Sequence, residues 1–142
     1  MDLTTSYVFD AAHRIAGHPG KCAWLHGHTY HLEVTVSSPT LNQFGMVMDF
    51  DDLRDVVGKA VLDLWDHATL LAADYPLGPA ISKVQHEAPY RVVLLPGQPT
   101  AEVLTGQAWE RLESRLPAGI TLERVAIRET PACGSAISRL RT

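Results

Sequence analysis

Three histidines and a cysteine are concentrated around the start of one predicted strand. The segment CAWLHGHTYHLEV places Cys22 four residues before His26, and His28 follows after a single glycine. His13 lies upstream, at the end of another segment with an alternating apolar pattern. Imidazole and thiolate groups bind transition metals, and a thiolate also acts as a base or a nucleophile. The first hypothesis is therefore metal-assisted chemistry with a thiol close to the metal.

Two strands would bring these histidines together. Residues 3–13 alternate between apolar and polar positions, and His13 is the last residue on the apolar face. Residues 26–36 alternate in the same way, with His26 and His28 on the apolar face. Consecutive strands joined by about a dozen residues usually pair antiparallel. His13 is therefore predicted to lie beside His26 and His28.

Three inward-facing imidazoles at one end of a hairpin have the ligand type and number of a catalytic zinc site with an open fourth position. Iron, copper and nickel also accept imidazole ligands, so residue type alone does not select the metal. The plainer interpretation is that each is an ordinary hydrogen-bonded strand histidine. Three histidines on matching faces favour the metal, with zinc as the expected ion.

The rest of the chain predicts two amphipathic helices. Apolar residues at three- and four-residue steps predict a helix from Phe50 to about Trp65, with Asp49 or Asp51 placed to cap it. A second helix is predicted after Pro99, with Thr100 as its N-cap. Between them, the proline-rich residues 72–98 predict a long connection that contains one strand at most.

Further strands are predicted from short apolar or alternating runs, over residues 45–50, 121–129 and 135–141. The main elements follow the order strand, strand, helix, helix, strand, strand, which indicates an α+β fold. The length of 142 residues is typical of one domain, so residues 1–142 are predicted to form a single domain.

Composition argues against several classes of protein. The net charge is -4 and the basic residues are scattered, so nucleic-acid binding is not expected. No run approaches the roughly 20 apolar residues of a membrane span, and no targeting segment is visible, so a cytoplasmic location is expected. Cys22 and Cys133 are expected to be free thiols in that compartment.

Six short motifs occur in order between about Phe9 and Thr130: FDAAH, C-x-x-x-H-G-H-x-Y, GMVMDF, DHATL, PTAE and RET. Together they resemble the 6-pyruvoyltetrahydropterin synthase and 6-carboxytetrahydropterin synthase family. The resemblance implies a tunnelling fold, with a four-stranded antiparallel sheet, two helices on one face and the order ββααββ. It also implies a homo-oligomer, a trimer or hexamer, with sites at subunit interfaces. The short spacing from Cys22 to His26 resembles the carboxy branch.

The resemblance also implies a role for each candidate residue. It makes His13, His26 and His28 the zinc ligands. The other site residues that it implies are Cys22 as the base that removes a side-chain proton, Asp66 and His67 as a relay pair, Glu129 as the anchor of the pterin ring, and Thr100 and Glu102 as secondary residues near the pterin.

The implied activity is that of a zinc-dependent lyase acting on a pterin. It would convert 7,8-dihydroneopterin triphosphate to 6-carboxytetrahydropterin, with release of acetaldehyde and triphosphate, in 7-deazaguanine and queuosine biosynthesis. One alternative is 6-pyruvoyltetrahydropterin synthase, in which the substrate's tail is kept. Two others are a zinc hydrolase, for which the sequence has no HExxH-type motif, and a non-catalytic assembly module stabilised by the metal.

Simpler roles exist for three of these residues. Cys22 could be an inert buried thiol, and His67 could be the charge partner of a helix end. Glu129 could form a salt bridge to a neighbouring arginine, although Arg124 and Arg128 have the opposite strand parity. The chain also departs from the family's usual residues at four positions, which bear on the exact substrate: Leu71, Val103, Cys133 and Ser135.

Overall fold

A computed structural model describes residues 1–76, 80, 83 and 91–140. Its strands are β1 (Asp2–His13), β2 (His26–Ser37), β3 (Ala68–Ala72), β4 (Val92–Leu95), β5 (Thr121–Arg128) and β6 (Gly134–Ser138). Its helical segments are a 3-10 turn (Lys21–Ala23), α1 (Phe50–Val57), a π-helical turn (Gly58–Leu62), α2 (Asp63–Trp65) and α3 (Ala101–Glu113). The strands form one sheet in the order β4-β3-β1-β2-β5-β6.

The predicted hairpin of β1 and β2 is confirmed. The two strands pair antiparallel along their whole length, with His13 opposite His26 and Ala11 opposite His28. Side chains alternate between the two faces of the sheet along each strand. In β1 the residues at every second position from Phe9, and in β2 those at every second position from Tyr30, lie on the face that packs against the helices. The same alternation carries the three histidines onto that face.

The described residues form a sheet of six strands, so the expectation of a four-stranded antiparallel sheet is wrong. The unexpected strand is β3, which pairs parallel with β1 on one side and with β4 on the other. Because β3 lies between two strands, its residues from Leu70 to Ala72 are all buried. Such a strand shows a continuous apolar run and not an alternating pattern, and this run follows directly after a helix. Periodicity therefore gives no sign of it.

The segment GMVMDF over residues 45–50 is also not a strand. Residues 45–49 form bends and irregular backbone, and Phe50 is already the first residue of α1. The predicted capping is confirmed, because the Asp49 carboxylate accepts a hydrogen bond of 2.8 Å from the Asp51 amide.

Two helical segments cover one face of the sheet, as expected. The first runs without a break through α1, the π-helical turn and α2, and it buries Leu53 and Trp65. The second, α3, begins at the predicted N-cap Thr100 and buries Leu104 and Leu112. The core lies between these helices and the inner face of the sheet. It holds the end of β1 and the start of β2 in fixed positions.

Parts of two predicted segments lie outside the described residues. They are 77–79, 81–82 and 84–90 in the predicted connection, and 141–142 at the chain end. Strand β4 is the one strand predicted within the connection, and β6 matches the predicted return strand, although it ends earlier, at Ser138. Within the described ranges, no helix is both long enough and apolar enough to cross a membrane.

Candidate active site

His13, His26 and His28 come together at one end of the β1–β2 hairpin. One ring nitrogen from each lies within 4.8 Å of the others. The ring centroids are 4.6 to 5.1 Å apart. His13 is fully buried and the other two are half-buried. The cluster predicted from strand parity is therefore present in the fold.

Hydrogen bonds fix the tautomers of two of these rings. The Nδ1 atom of His13 lies 2.7 Å from the carbonyl oxygen of Pro99, and that of His26 lies 2.7 Å from the carbonyl oxygen of Trp24. A carbonyl oxygen only accepts, so each Nδ1 carries the proton. The Nε2 atom of each neutral ring then has a lone pair free for a metal. Backbone carbonyls commonly orient metal-binding histidines in this way.

The two Nε2 atoms meet at 3.1 Å. With both protons on Nδ1, two lone pairs face each other and repel unless a cation or a proton lies between them. Nitrogen ligands 2.0–2.1 Å from a tetrahedral zinc are about 3.3 Å apart, which is close to this separation. The donor set, its tautomers and its spacing therefore fit a zinc ion.

The surroundings of His13 keep its ring neutral. Burial, the largest cause, lowers the pKa of His13, and the imidazoles of His26 and His28 lower it further. The hydrogen bond to the Pro99 carbonyl and the charge of Glu129 act in the opposite direction without reversing the shift. A neutral imidazole is the form that binds a metal.

Cys22 lies in the 3-10 turn Lys21–Ala23, four residues before His26. Its thiol is free and half-buried, and its sulfur is not part of the cluster of ligand atoms. A backbone hydrogen bond of 2.8 Å from the Ile15 amide to the Cys22 carbonyl closes the loop that carries it. Cys133 is also free, but it lies exposed in the β5–β6 turn.

Asp66 and His67 form a pair between α2 and β3. The Nδ1 atom of His67 lies 2.9 Å from the Asp66 carboxylate. The backbone of Asp10 fixes the pair twice, since its amide donates to the Asp66 carboxylate at 3.0 Å and its carbonyl accepts from the His67 amide at 2.6 Å. His67 has a φ of 59°, an unusual conformation for a non-glycine residue. Such conformations often occur at functional sites.

The same contacts affect the charge of Asp66. Partial burial alone would raise the pKa of its carboxyl group. The hydrogen bond from the Asp10 amide and the contacts with His67 outweigh that effect, so the pKa of Asp66 lies below its ordinary value. An ionised Asp66 can therefore accept a hydrogen bond from the His67 ring.

An open groove of about 470 Å³ is lined by His67 of this pair and by His28 of the histidine cluster. Gly27, the second residue of β2, also lines this groove. A side chain at Gly27 would place its Cβ 3.2 Å from the Ala11 carbonyl oxygen, so glycine allows the close approach of the backbones there. The groove is therefore bordered by one residue of each group.

Glu129 follows β5 directly and is half-buried. Its amide donates to the Cys133 carbonyl at 3.0 Å in the β5–β6 turn. Burial is the largest cause of the lowered pKa of His13 and of the raised pKa of Tyr30, and the Glu129 carboxylate acts upward on both pKa values. Arg124 forms its ion pair with Glu33. The carboxylate of Glu129 therefore lies near the histidine cluster.

Thr100 and Glu102 lie at the start of α3. The Thr100 hydroxyl accepts from the Val103 amide at 3.3 Å and caps the helix, and Glu102 is exposed in the first turn. Thr100 directly follows Pro99, whose carbonyl binds His13. Both residues are therefore close in sequence to a group that orients the histidine cluster.

Sequence reasoning missed the groups that orient these side chains. The carbonyls of Trp24 and Pro99 fix two histidine tautomers, and the backbone of Asp10 fixes the Asp66–His67 pair. Every residue has a carbonyl and almost every residue an amide, so no residue type indicates these contacts. They depend on segments that are distant in sequence.

Comparisons with known proteins agree with this architecture. The family model described as 6-pyruvoyl tetrahydropterin synthase matches residues 2–139. A 6-carboxy-5,6,7,8-tetrahydropterin synthase from Rickettsia bellii is 33% identical over 136 residues, which cover 94% of this chain and 96% of the relative.

Two solved structures share the fold. An uncharacterized protein from Wolinella succinogenes has a TM-score of 0.82 at 24% identity, covering 99% of this chain and 98% of its own. The 6-pyruvoyl tetrahydropterin synthase of Caenorhabditis elegans has a TM-score of 0.67 at 23% identity, covering 99% and 96%. The family match over nearly the whole chain and the curated relative show that this protein belongs to the 6-pyruvoyl tetrahydropterin synthase family of tunnelling-fold pterin synthases, with the 6-carboxytetrahydropterin synthases among its relatives.

Proposed function

We propose that this enzyme is a zinc-dependent 6-carboxytetrahydropterin synthase. It would convert 7,8-dihydroneopterin triphosphate and water to 6-carboxytetrahydropterin, acetaldehyde and triphosphate, as a lyase of 7-deazaguanine and queuosine biosynthesis. The name of the Rickettsia bellii relative supports the product. The observation that carries the proposal is the cluster of His13, His26 and His28, with two rings oriented by carbonyls so that their Nε2 atoms converge.

The three histidines would hold the zinc ion. When bound, zinc supplies Lewis-acid polarisation of the hydroxyl groups in the three-carbon tail of the substrate. His13 is neutral and deeply buried, so it contributes a ligand that does not need to lose a proton first.

Cys22 would act as the base that removes a proton from the substrate's tail. It sits in the loop between the two strands that carry the ligands, and its sulfur lies outside the ligand cluster. That arrangement suits a base that acts beside a metal, and it leaves the fourth position of the metal open for substrate.

Asp66 and His67 would form the proton relay. The ionised Asp66 accepts from Nδ1 of His67, which leaves Nε2 of that ring available to take up or release a proton. The His67 side chain is 76% exposed and lines the groove next to His28. This exposure leaves room for a neighbouring chain to complete the site.

Glu129 would anchor the pterin ring. A carboxylate accepts two hydrogen bonds side by side, which matches the adjacent N–H donors at the guanidine-like edge of a pterin. Its influence on His13 and Tyr30 supports a position at one end of the histidine cluster. Thr100 and Glu102 would lie near the ring as secondary contacts.

The proposal also includes an assembly. Among the described strands, β4 and β6 are the two edges of the sheet, and an edge strand can pair with a strand of another copy. A trimer or hexamer with active sites at its interfaces would satisfy those edges. Residues 1–142 would act as one synthase domain in the cytoplasm.

Acetaldehyde release from 7,8-dihydroneopterin triphosphate tests the proposed reaction. We expect acetaldehyde and triphosphate in equal amounts from the zinc-loaded enzyme. Consumption of substrate without acetaldehyde would favour the 6-pyruvoyl product, in which the tail is kept. A protein that binds zinc but leaves the substrate unchanged would favour a non-catalytic module.

A further inference from the structure

Two carbonyl groups orient the histidine cluster, and they differ in how they are held. The Trp24 carbonyl belongs to the same chain segment as His26, two residues away. The Pro99 carbonyl reaches His13 from a segment 86 residues away in sequence. The orientation of the His13 ring therefore depends on how firmly the segment before α3 is joined to the end of β1.

Gln98 makes that connection. Its side-chain oxygen accepts a hydrogen bond of 3.0 Å from the backbone amide of Ala16, three residues after His13. Its own carbonyl accepts from the Thr100 amide at 2.7 Å, which constrains the peptide on either side of Pro99. Both contacts are made by Gln98, which directly precedes Pro99, the residue whose carbonyl binds His13.

Together these bonds form a closed loop between two segments that are distant in sequence. One side of this loop is the chain from His13 to Ala16, and the other is the chain from Gln98 to Pro99. The two hydrogen bonds that join them are Ala16 N–H to the Gln98 side chain, and His13 Nδ1–H to the Pro99 carbonyl. Two points of attachment restrict how far the Pro99 carbonyl can move from the His13 ring.

We propose that Gln98 is a positioning residue for the metal centre. It would act through the Pro99 carbonyl, which holds His13 in the tautomer and orientation needed for binding. Outer groups of this kind typically change metal affinity by about 10- to 100-fold when they are removed. The inference rests on the proposed function, because it requires the histidine cluster to hold a metal.

Zinc affinity of the purified protein tests the role of Gln98. Competition with a chromophoric chelator would give the zinc dissociation constant for the wild type and for Gln98→Ala. We expect the variant to bind zinc about tenfold more weakly. Gln98→Met is the second variant, since it fills nearly the same volume without an acceptor and should show the same loss even if the alanine variant folds poorly.

Two controls separate positioning from general destabilisation. Gln98→Glu keeps an acceptor oxygen for the Ala16 amide and should restore most of the zinc affinity. Gln107→Ala removes a glutamine side chain from α3, where the amide contacts Glu110 at 3.0 Å, and should leave zinc affinity unchanged. Cobalt-loaded Gln98→Met should also show an altered visible absorption spectrum, because the His13 ring is less firmly oriented.

The outcomes distinguish the two proposals. If the wild type binds no zinc tightly, the proposed metal function fails, and the role of Gln98 fails with it. If the wild type binds zinc tightly and Gln98→Met has the same zinc affinity as Gln107→Ala, the role of Gln98 is overturned and the metal function is not. That role is also overturned, with the metal function intact, if Gln98→Glu loses as much zinc affinity as Gln98→Met.

Discussion

The Nε2 atoms of His13 and His26 lie 3.1 Å apart, and the Nδ1 atom of each ring is bonded to a backbone carbonyl. The carbonyls place both protons on Nδ1, so the facing nitrogens both present lone pairs. An arrangement of this kind is unfavourable by itself, and a bound cation would turn the repulsion into two coordinate bonds. This relationship is the strongest structural argument for a metal in this protein.

Metal content should depend on the cluster and not on histidines in general. We expect about one zinc ion per chain in the wild type and a large loss in His28→Ala, because two imidazoles rarely hold zinc tightly. His31→Ala is a matched control, since His31 lies on the same strand but is exposed on the opposite face. Elemental analysis measures both, and equal metal content in the two variants would contradict the assignment.

Cys22→Ala should retain zinc and the fold but lose turnover by about 10²- to 10⁴-fold, the usual contribution of a general base. The reason is that the thiol lies outside the ligand cluster. Cys133→Ala removes the other free thiol and should keep full activity. If Cys22→Ala also loses its zinc, then Cys22 is a fourth ligand and the site is closed.

Glu129→Gln should weaken pterin binding. The amide can accept only one of the two N–H donors that a carboxylate satisfies, and loss of such a charged pair costs on the order of a few kcal/mol. Zinc content should stay the same, because the carboxylate is not among the clustered ligand atoms. Pterin titration and thermal denaturation of the same variant check this, and a lower melting temperature with unchanged pterin affinity would assign Glu129 a purely structural role.

Substitution of His67 should separate backbone strain from catalysis. At a φ of 59° an alanine is strained and a glycine is not, so His67→Gly should be more stable than His67→Ala by about 1 kcal/mol. Both variants should lose turnover, because neither has a ring to move protons. Urea denaturation and steady-state kinetics measure the two effects, and full activity in either variant would remove His67 from the relay.

The solution mass should correspond to three or six chains. Among the described strands, β4 and β6 lie at the two edges of the sheet, and an edge strand can pair with another copy. Light scattering at micromolar concentration measures the mass. A sharp monomer peak under those conditions would contradict the proposed assembly.

The sequence by itself determined the histidine cluster and the face of β1 and β2 that packs into the core. Alternation in β1 and β2 has a period of two, so residue parity decides which side chains share a face, and antiparallel pairing brings His13 next to His26. The helix caps Asp49 and Thr100 can also be predicted from the sequence, because their side chains accept hydrogen bonds from amides two or three residues away. Sequence patterns are sufficient to predict contacts between residues that are close together in the chain.

Only the tertiary structure decided the rest. Strand β3 is buried between two parallel neighbours, so its apolar run has no periodicity that distinguishes it from the end of a helix. The Pro99 carbonyl and the Asp10 backbone reach their partners from 86 and 56 residues away. Backbone groups are chemically the same in nearly every residue, so their roles follow from where the fold places them and not from residue type.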